Sequence, residues 1–294
     1  MDSMSFSRNW CGIGPYQVDA PDGPIFNSLH KSQSLHWSQI PRDLRPMQAK
    51  VLLVNQEMII CVPGPWEDRS DFARRVFGLE PSGRYTFAGG ILADVQHQDH
   101  IQVQFLGRHP RMAEAFEAAT RGELPPAVAC AISGHRSSIY LRFPSNVITE
   151  RLRILKFTEL AKRLGGIAIK LESSGVGHWW ERWFQLLGSK NEFDWYCAVV
   201  MLLAEDNRYY SCGMHHFGLA DATVEKRMVI REAANLINKF NYWRIIDQRT
   251  LHSSEVLRVD ESGARFRLFW EPDKLNPDGD LFHNPHGIWL LHED

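Results

Sequence analysis

Gly165 to Trp183 reads GGIAIKLESSGVGHWWERW, and the architecture turns on this stretch. Ile167, Ala168, Ile169 and Leu171 make an apolar run of strand length, with a glycine pair before it and a polar, glycine-containing loop after it. The glycines Gly165 and Gly166 end a long helix that Ser145 or Asn146 caps and that reaches Leu164. The loop Glu172, Ser173, Ser174, Gly175 and Gly177 points at the first turn of another helix, with Ser174 as its capping residue. That helix carries Trp179, Trp180 and Trp183. At 100° per residue Trp179 and Trp183 share a face, and Trp180 is turned away by about a third of a circle.

Upstream, Val51 to Val62 reads as a strand broken by Pro63-Gly64-Pro65, and Trp66 to Leu79 as a helix. Arg84 to Asp94 and His100 to Leu106 follow as strands, and Pro110 to Thr120 as a short helix with proline in its first turn. Val128 to Ser133 and Ser137 to Phe143 read as a hairpin around Gly134-His135-Arg136. The order strand, loop, helix, strand recurs: VPGPWEDRSDFARRVFG before YTFAGGILAD sits beside SSGVGHWWERWFQLLG before YCAVVMLLAED. We therefore expect an α+β fold with residues 51–294 as one domain of two related halves, about 51–144 and 145–294, sharing a mixed or antiparallel sheet flanked by helices. Residues 1–50, rich in Pro, Gly, Ser, His and Gln, read as an irregular arm packed through Trp10 and Trp37. An amphipathic helix near Thr223 to Phe240 and a strand over Ala264 to Trp270 complete the chain.

Composition excludes several classes. At 294 residues, with 44% hydrophobic and 23% charged residues and a formal net charge of −2, the chain is a folded protein without a general affinity for nucleic acid. Its longest apolar stretch, Trp195 to Ala204, is strand-sized, so no membrane association is expected. The start MDSMSFSRNW lacks a signal pattern, and five cysteines, odd in number and far apart, suit reduced thiols; together these predict a cytoplasmic protein.

No motif names a reaction or a cofactor, and none is expected to bind. A phosphate-binding loop is incomplete, because Gly175-Val176-Gly177 lacks the lysine and the third glycine. Asn276 to Asp280 has a calcium-loop flavour but no closing glutamate, and Asp278-Gly279 reads as a turn. His215 and His216, adjacent in an extended segment, would point to opposite faces, so no metal site is expected there. Cys212 beside them has the setting of a nucleophile, with Asp221 as orienting acid, or of a half-buried thiol ending a strand. A hydrolase or transferase site would draw Cys212, His215 and His216 together with Glu172 and His178. A binding surface would use Trp180 and Arg182, residue types enriched at protein contacts, with His178, Ser174, His215 and His216.

Three passages taken together, Glu172 to Gly175, Gly213 to Leu219 and Asn284 to Trp289, resemble an uncharacterised bacterial domain-of-unknown-function family over about residues 50 to 291. Some similar proteins look like immunity proteins encoded beside polymorphic or secreted toxins. The resemblance implies a protein that binds and neutralises a cognate protein toxin or effector of a secretion system, with its oligomeric state open. The Cys212, His215 and Glu172 enzyme is the alternative.

Overall fold

Met58 to Val62 are five apolar residues in succession, and they form the heart of a strand buried on both faces, β1 (Glu57–Gly64). The computed structural model describes residues 57–80, 82–205, 207–247, 249–258 and 264–294; the expected N-terminal arm, with Trp10 and Trp37, lies outside them. Within the described chain two compact units meet in sequence at Val199 and Val200. In the first, β1 is joined by α1 (Arg69–Gly78), β2 (Tyr85–Ala88), β3 (Ile91–Asp94), β4 (Asp99–Gly107), α2 (Met112–Ala119), α3 (Pro126–Ser133), β5 (Ser137–Pro144) and α4 (Val147–Arg163). It closes with β6 (Ala168–Leu171), β7 (Gly177–Trp179), α5 (Trp180–Leu187) and α6 (Glu192–Val199). The strands form one antiparallel sheet in the order β2-β3-β4-β5-β1-β6-β7.

The second unit contains β8 (Met201–Ala204), β9 (Arg208–Cys212), β10 (Asp221–Glu225), α7 (Ile230–Ile246), β11 (Val256–Arg258), β12 (Arg265–Glu271) and β13 (Ile288–Glu293). Its sheet runs β11-β12-β13-β10-β9-β8, with β10 and β13 parallel and the other pairs antiparallel. Ala233, Ile237 and Phe240 of α7 pack with Ala222, Val224, Leu268 and Leu291 of the sheet. The class is α+β, as expected. The strands are divided between two sheets instead of sharing one, and the units part at Val199 and Val200, not at the 144/145 join of the expected halves.

Four local readings change. The helix expected from near Thr223 begins at Ile230, and Thr223 itself pairs within β10. Val128 to Ser133 belongs to a helix, because Pro126 stands at its first position, alanines fill the turn, and only Ile132 is buried. A short apolar run carries no periodicity that separates the two forms. Trp195 to Ala204 is divided: residues to Val199 are helical, with Glu192 and Asp194 in the first turn where the helix field favours carboxylates, and only Met201–Ala204 pairs as a strand. The loop after β6 is a hairpin turn, not a helix cap. Leu171 N–H donates to Val176 O (2.8 Å), and α5 starts only at Trp180 with no side-chain cap. Ser174 is wholly buried in that turn.

The helix stop at Gly165 is as read. Asn146 Oδ1 accepts from Thr149 N–H (3.2 Å) to open α4, and Gly165 takes the left-handed conformation (φ +99°) that closes it. Three tryptophans hold this corner through their indole N–H groups. Trp66 donates to Leu164 O (2.9 Å), Trp180 to Gly166 O (2.7 Å) and Trp183 to Thr158 Oγ1 (3.0 Å). Trp180→Phe keeps most of the ring volume and deprives Gly166 O of its donor, so unfolding stability falls by about 1–3 kcal/mol in a denaturant titration. A surface tryptophan would give no change.

Candidate functional site

The expected binding residues are mostly inside. Trp180, His178, Ser174, His215 and His216 are buried, and Arg182 alone of the set reaches the surface. The helix begins one step later than read, so Trp180 and Trp183 share the inward face of α5 while Trp179 belongs to β7. His178 donates from Nε2 to Ala198 O (2.9 Å), and its ring lies 5.9 Å from that of Trp183. Burial drives its pKa down to about 4, so it is neutral at physiological pH.

Around His178 the fold gathers residues that the sequence did not single out. Arg121 follows α2, Cys197 lies in α6, and Arg182 and Arg121 both act electrostatically on His178, on Cys197 and on Glu123. The Cys197 thiol is pushed up to about 12 by burial, so it is not a nucleophile. The signal for Arg121 was present in the sequence as Arg-Gly directly after a helix, where glycine usually comes first.

Glu172, the acid of the enzyme alternative, is held at the centre of the first sheet. Its Oε2 accepts from Lys170 Nζ at 2.6 Å, with both side chains 8% exposed. Lys170 and Tyr140 both lie directly opposite Cys61, so the three form a row across β6, β1 and β5, with Glu172 one pleat further along the same face. Burial first, and then the Glu172 charge, push the Cys61 thiol far up. Tyr140 is raised by the neighbouring sulfur and by burial. The Cys61 thiol and the Tyr140 hydroxyl therefore stay protonated, beside a Lys170–Glu172 ion pair.

In the second unit Asp221 is the hub. It accepts from Ser211 Oγ (2.9 Å) and Met214 N–H (3.2 Å) on Oδ1, and from Asn284 Nδ2 (2.6 Å) on Oδ2. Asn284 also donates to Leu219 O (3.0 Å) and, through its backbone N–H, to Asp273 (2.9 Å). These bonds tie the Gly213–Leu219 loop to the Asn284–Trp289 segment, so two of the three motifs that carry the family resemblance form one piece of structure. Asp221 is thus committed to the loop instead of orienting a nucleophile. Cys212 is buried with its Sγ 4.0 Å from Phe282 O, and burial raises its pKa well above the usual range. His215 and His216 sit in a 3₁₀ turn (Met214–Phe217), which brings their rings to 4.0 Å instead of to opposite faces. Burial lowers His215 to about 3 and His216 well below its ordinary value. Asn276 to Asp280 forms a turn, with Asp280 N–H donating to Pro277 O (3.0 Å). Among the described residues no group of three or more His, Cys, Asp and Glu side chains is arranged to hold a metal ion. Glu172 and His178 belong to the first unit, and Cys212, His215 and His216 to the second.

Comparison with protein-family models, curated proteins and solved structures gives no match for this chain. Among the described residues no helix is long and apolar enough to cross a membrane.

Two measurements test these assignments. Glu172→Gln leaves the Lys170 ammonium buried without a counter-charge and costs about 3–5 kcal/mol of stability, whereas Lys170→Met with Glu172→Leu is close to neutral. Equal losses for the single and double variants would show that the pair is not coupled. The second concerns pH. Below about pH 6.5 the unfolded chain protonates both His215 and His216, which the folded unit keeps neutral. Asp221, raised by burial to about 7, is protonated in the folded unit but not in the unfolded chain down to about 3.8. The unfolded state thus binds a net one proton more between about pH 6.5 and 4, and these groups cost the unit about 1.4 kcal/mol per pH unit on acidification. Asp221→Asn removes the opposing proton and doubles the slope. An unchanged slope would place Asp221 as an ordinary ionised carboxylate.

Proposed function

We propose that this protein works by binding another protein, as an immunity-type partner that neutralises a bacterial toxin or secreted effector by contact in the cytoplasm. One observation carries the reading: an aliphatic stripe on α4. Leu152 is 70% exposed and Ile148 is 40% exposed, one turn apart on the same face, and part-exposed Leu155 extends the row. Arg151 and Lys156 stand beside the stripe. A row of aliphatic side chains edged by charge is the composition of a surface that a partner covers. The class of partner comes from the resemblance of the three motifs to an uncharacterised bacterial family, some of whose members look like immunity proteins.

The enzyme reading has less support. Its thiol is buried and protonated, its histidines are buried and neutral, and its acid is committed to Lys170. Arg182 remains a candidate contact.

Co-expression with the product of a neighbouring toxin-like gene provides the test. A stable complex on co-purification and protection of growth are expected, and Leu152→Asp, at a position already in water, weakens the complex about tenfold or more without loss of folding. Neither complex nor protection would end the proposal.

A further inference from the structure

Helix α7 carries a core stripe with a charge in it. Ala233, Ile237 and Phe240 pack against the second sheet, and by helical spacing the next position on that face, one turn beyond Phe240, is Arg244. The stripe is apolar up to that point because its face is turned away from water. Arg244 is turned away with it: at 8% exposure it is as covered as Leu236 and Leu251 of the same core.

The enclosed charge has no counterpart in the described structure. Nε and Nη1 of Arg244 are buried without a hydrogen-bond partner, and among the described residues the guanidinium forms no ion pair. The charged groups around the end of α7 do not supply one. Asp247 stands at the helix cap, exposed to water, and acts on Arg244 only at a distance. Glu255 is held by Arg249, whose guanidinium also lies over the Trp243 ring, 5.4 Å from its centroid. Arg249 itself repels Arg244. The last turn of α7 favours a cation through the helix field, yet its carbonyls take no hydrogen bond from Nε or Nη1.

An unpaired charge is the least favourable group that a core can hold. A buried histidine or lysine escapes by losing its proton. Burial lowers the pKa of Arg244 too, but a guanidinium starts so high that it stays charged. Leucine or methionine would complete the stripe without this penalty, so arginine at position 244 calls for something that the guanidinium holds. The group that answers it is an anion. Because Arg249 and Glu255 neutralise one another, one positive charge is left over, which a single carboxylate balances and a phosphate dianion exceeds.

We propose that Arg244 binds the carboxylate of a small organic acid at the C-terminal end of α7, on the side of the helix that faces the sheet. The guanidinium fork fits the two carboxylate oxygens side by side, and removal from water strengthens the pair. The site shares no residue with the apolar stripe on α4, and either proposal stands if the other fails.

The test is thermal unfolding of the full chain and of Arg244→Met in sodium acetate, sodium phosphate and sodium chloride, at one pH and matched ionic strength. General salt effects act on both proteins alike, so the site is read from the difference between them. Acetate is expected to raise the Tm of the parent to a plateau, and by more than it raises that of Arg244→Met. In chloride Arg244→Met is expected to be the more stable of the two, because it removes an unpaired charge from the core. Arg244→Lys keeps the charge and loses the fork, so the acetate concentration at half effect rises about tenfold or more. Equal acetate shifts in the parent and in Arg244→Met overturn the site, at whatever Tm the two proteins start. If Arg244→Met does not fold, Arg244→Lys decides, and a half-effect concentration equal to that of the parent overturns the site. A parent whose excess response is larger for phosphate than for acetate overturns the assignment to a carboxylate.

Discussion

A buried indole must find an acceptor for its N–H, and the first unit is arranged around that requirement. Trp66, Trp180 and Trp183 are all removed from water, and each donates to α4 or to the turn at its end. Two of the acceptors, Leu164 O and Gly166 O, belong to the turn that ends α4. The carbonyls at a helix end lack partners within the helix, and here Trp66, from the loop after β1, and Trp180 of α5 supply them. One corner thus joins the helix stop, the start of β6 and the first turn of α5. The same corner explains why tryptophans that look like surface anchors in the sequence are core residues.

In the second unit a carboxylate plays the organising part. Asp221 has three donors and no cation, which is why burial raises its pKa while its hydrogen bonds oppose the rise. The arrangement fixes the loop after β9 against the segment before β13 and presents no reactive group to solvent. Buried, neutral histidines beside it make that loop sensitive to acid.

Much of the fold was legible in the residues. The long helix from Asn146 to the Gly165 stop, the strand that became β1 and the short strand before Glu172 followed from caps, glycines and apolar runs. Other parts were not legible. Val128 to Ser133 and Trp195 to Val199 are apolar runs too short for periodicity to show, and a proline position or a pair of first-turn carboxylates decided them. The serine-glycine loop read as a helix cap because a hairpin and a cap use the same residues. For the candidate site the gap was wider: Arg182 and His178 were singled out, but Arg121, more than fifty residues earlier, joins them only through the contact of Gly177 with the end of α2.

The sequence alone determined an α+β protein, where its best-marked helix starts and stops, and the segment Gly165 to Trp183 as a structural centre, because caps, glycine conformations and strand-length apolar runs are local properties. Tertiary structure alone decided that the strands form two sheets and that five of the six expected contact residues are buried. Burial and charge pairing depend on what the rest of the chain brings to a residue, and one-dimensional spacing does not carry that information.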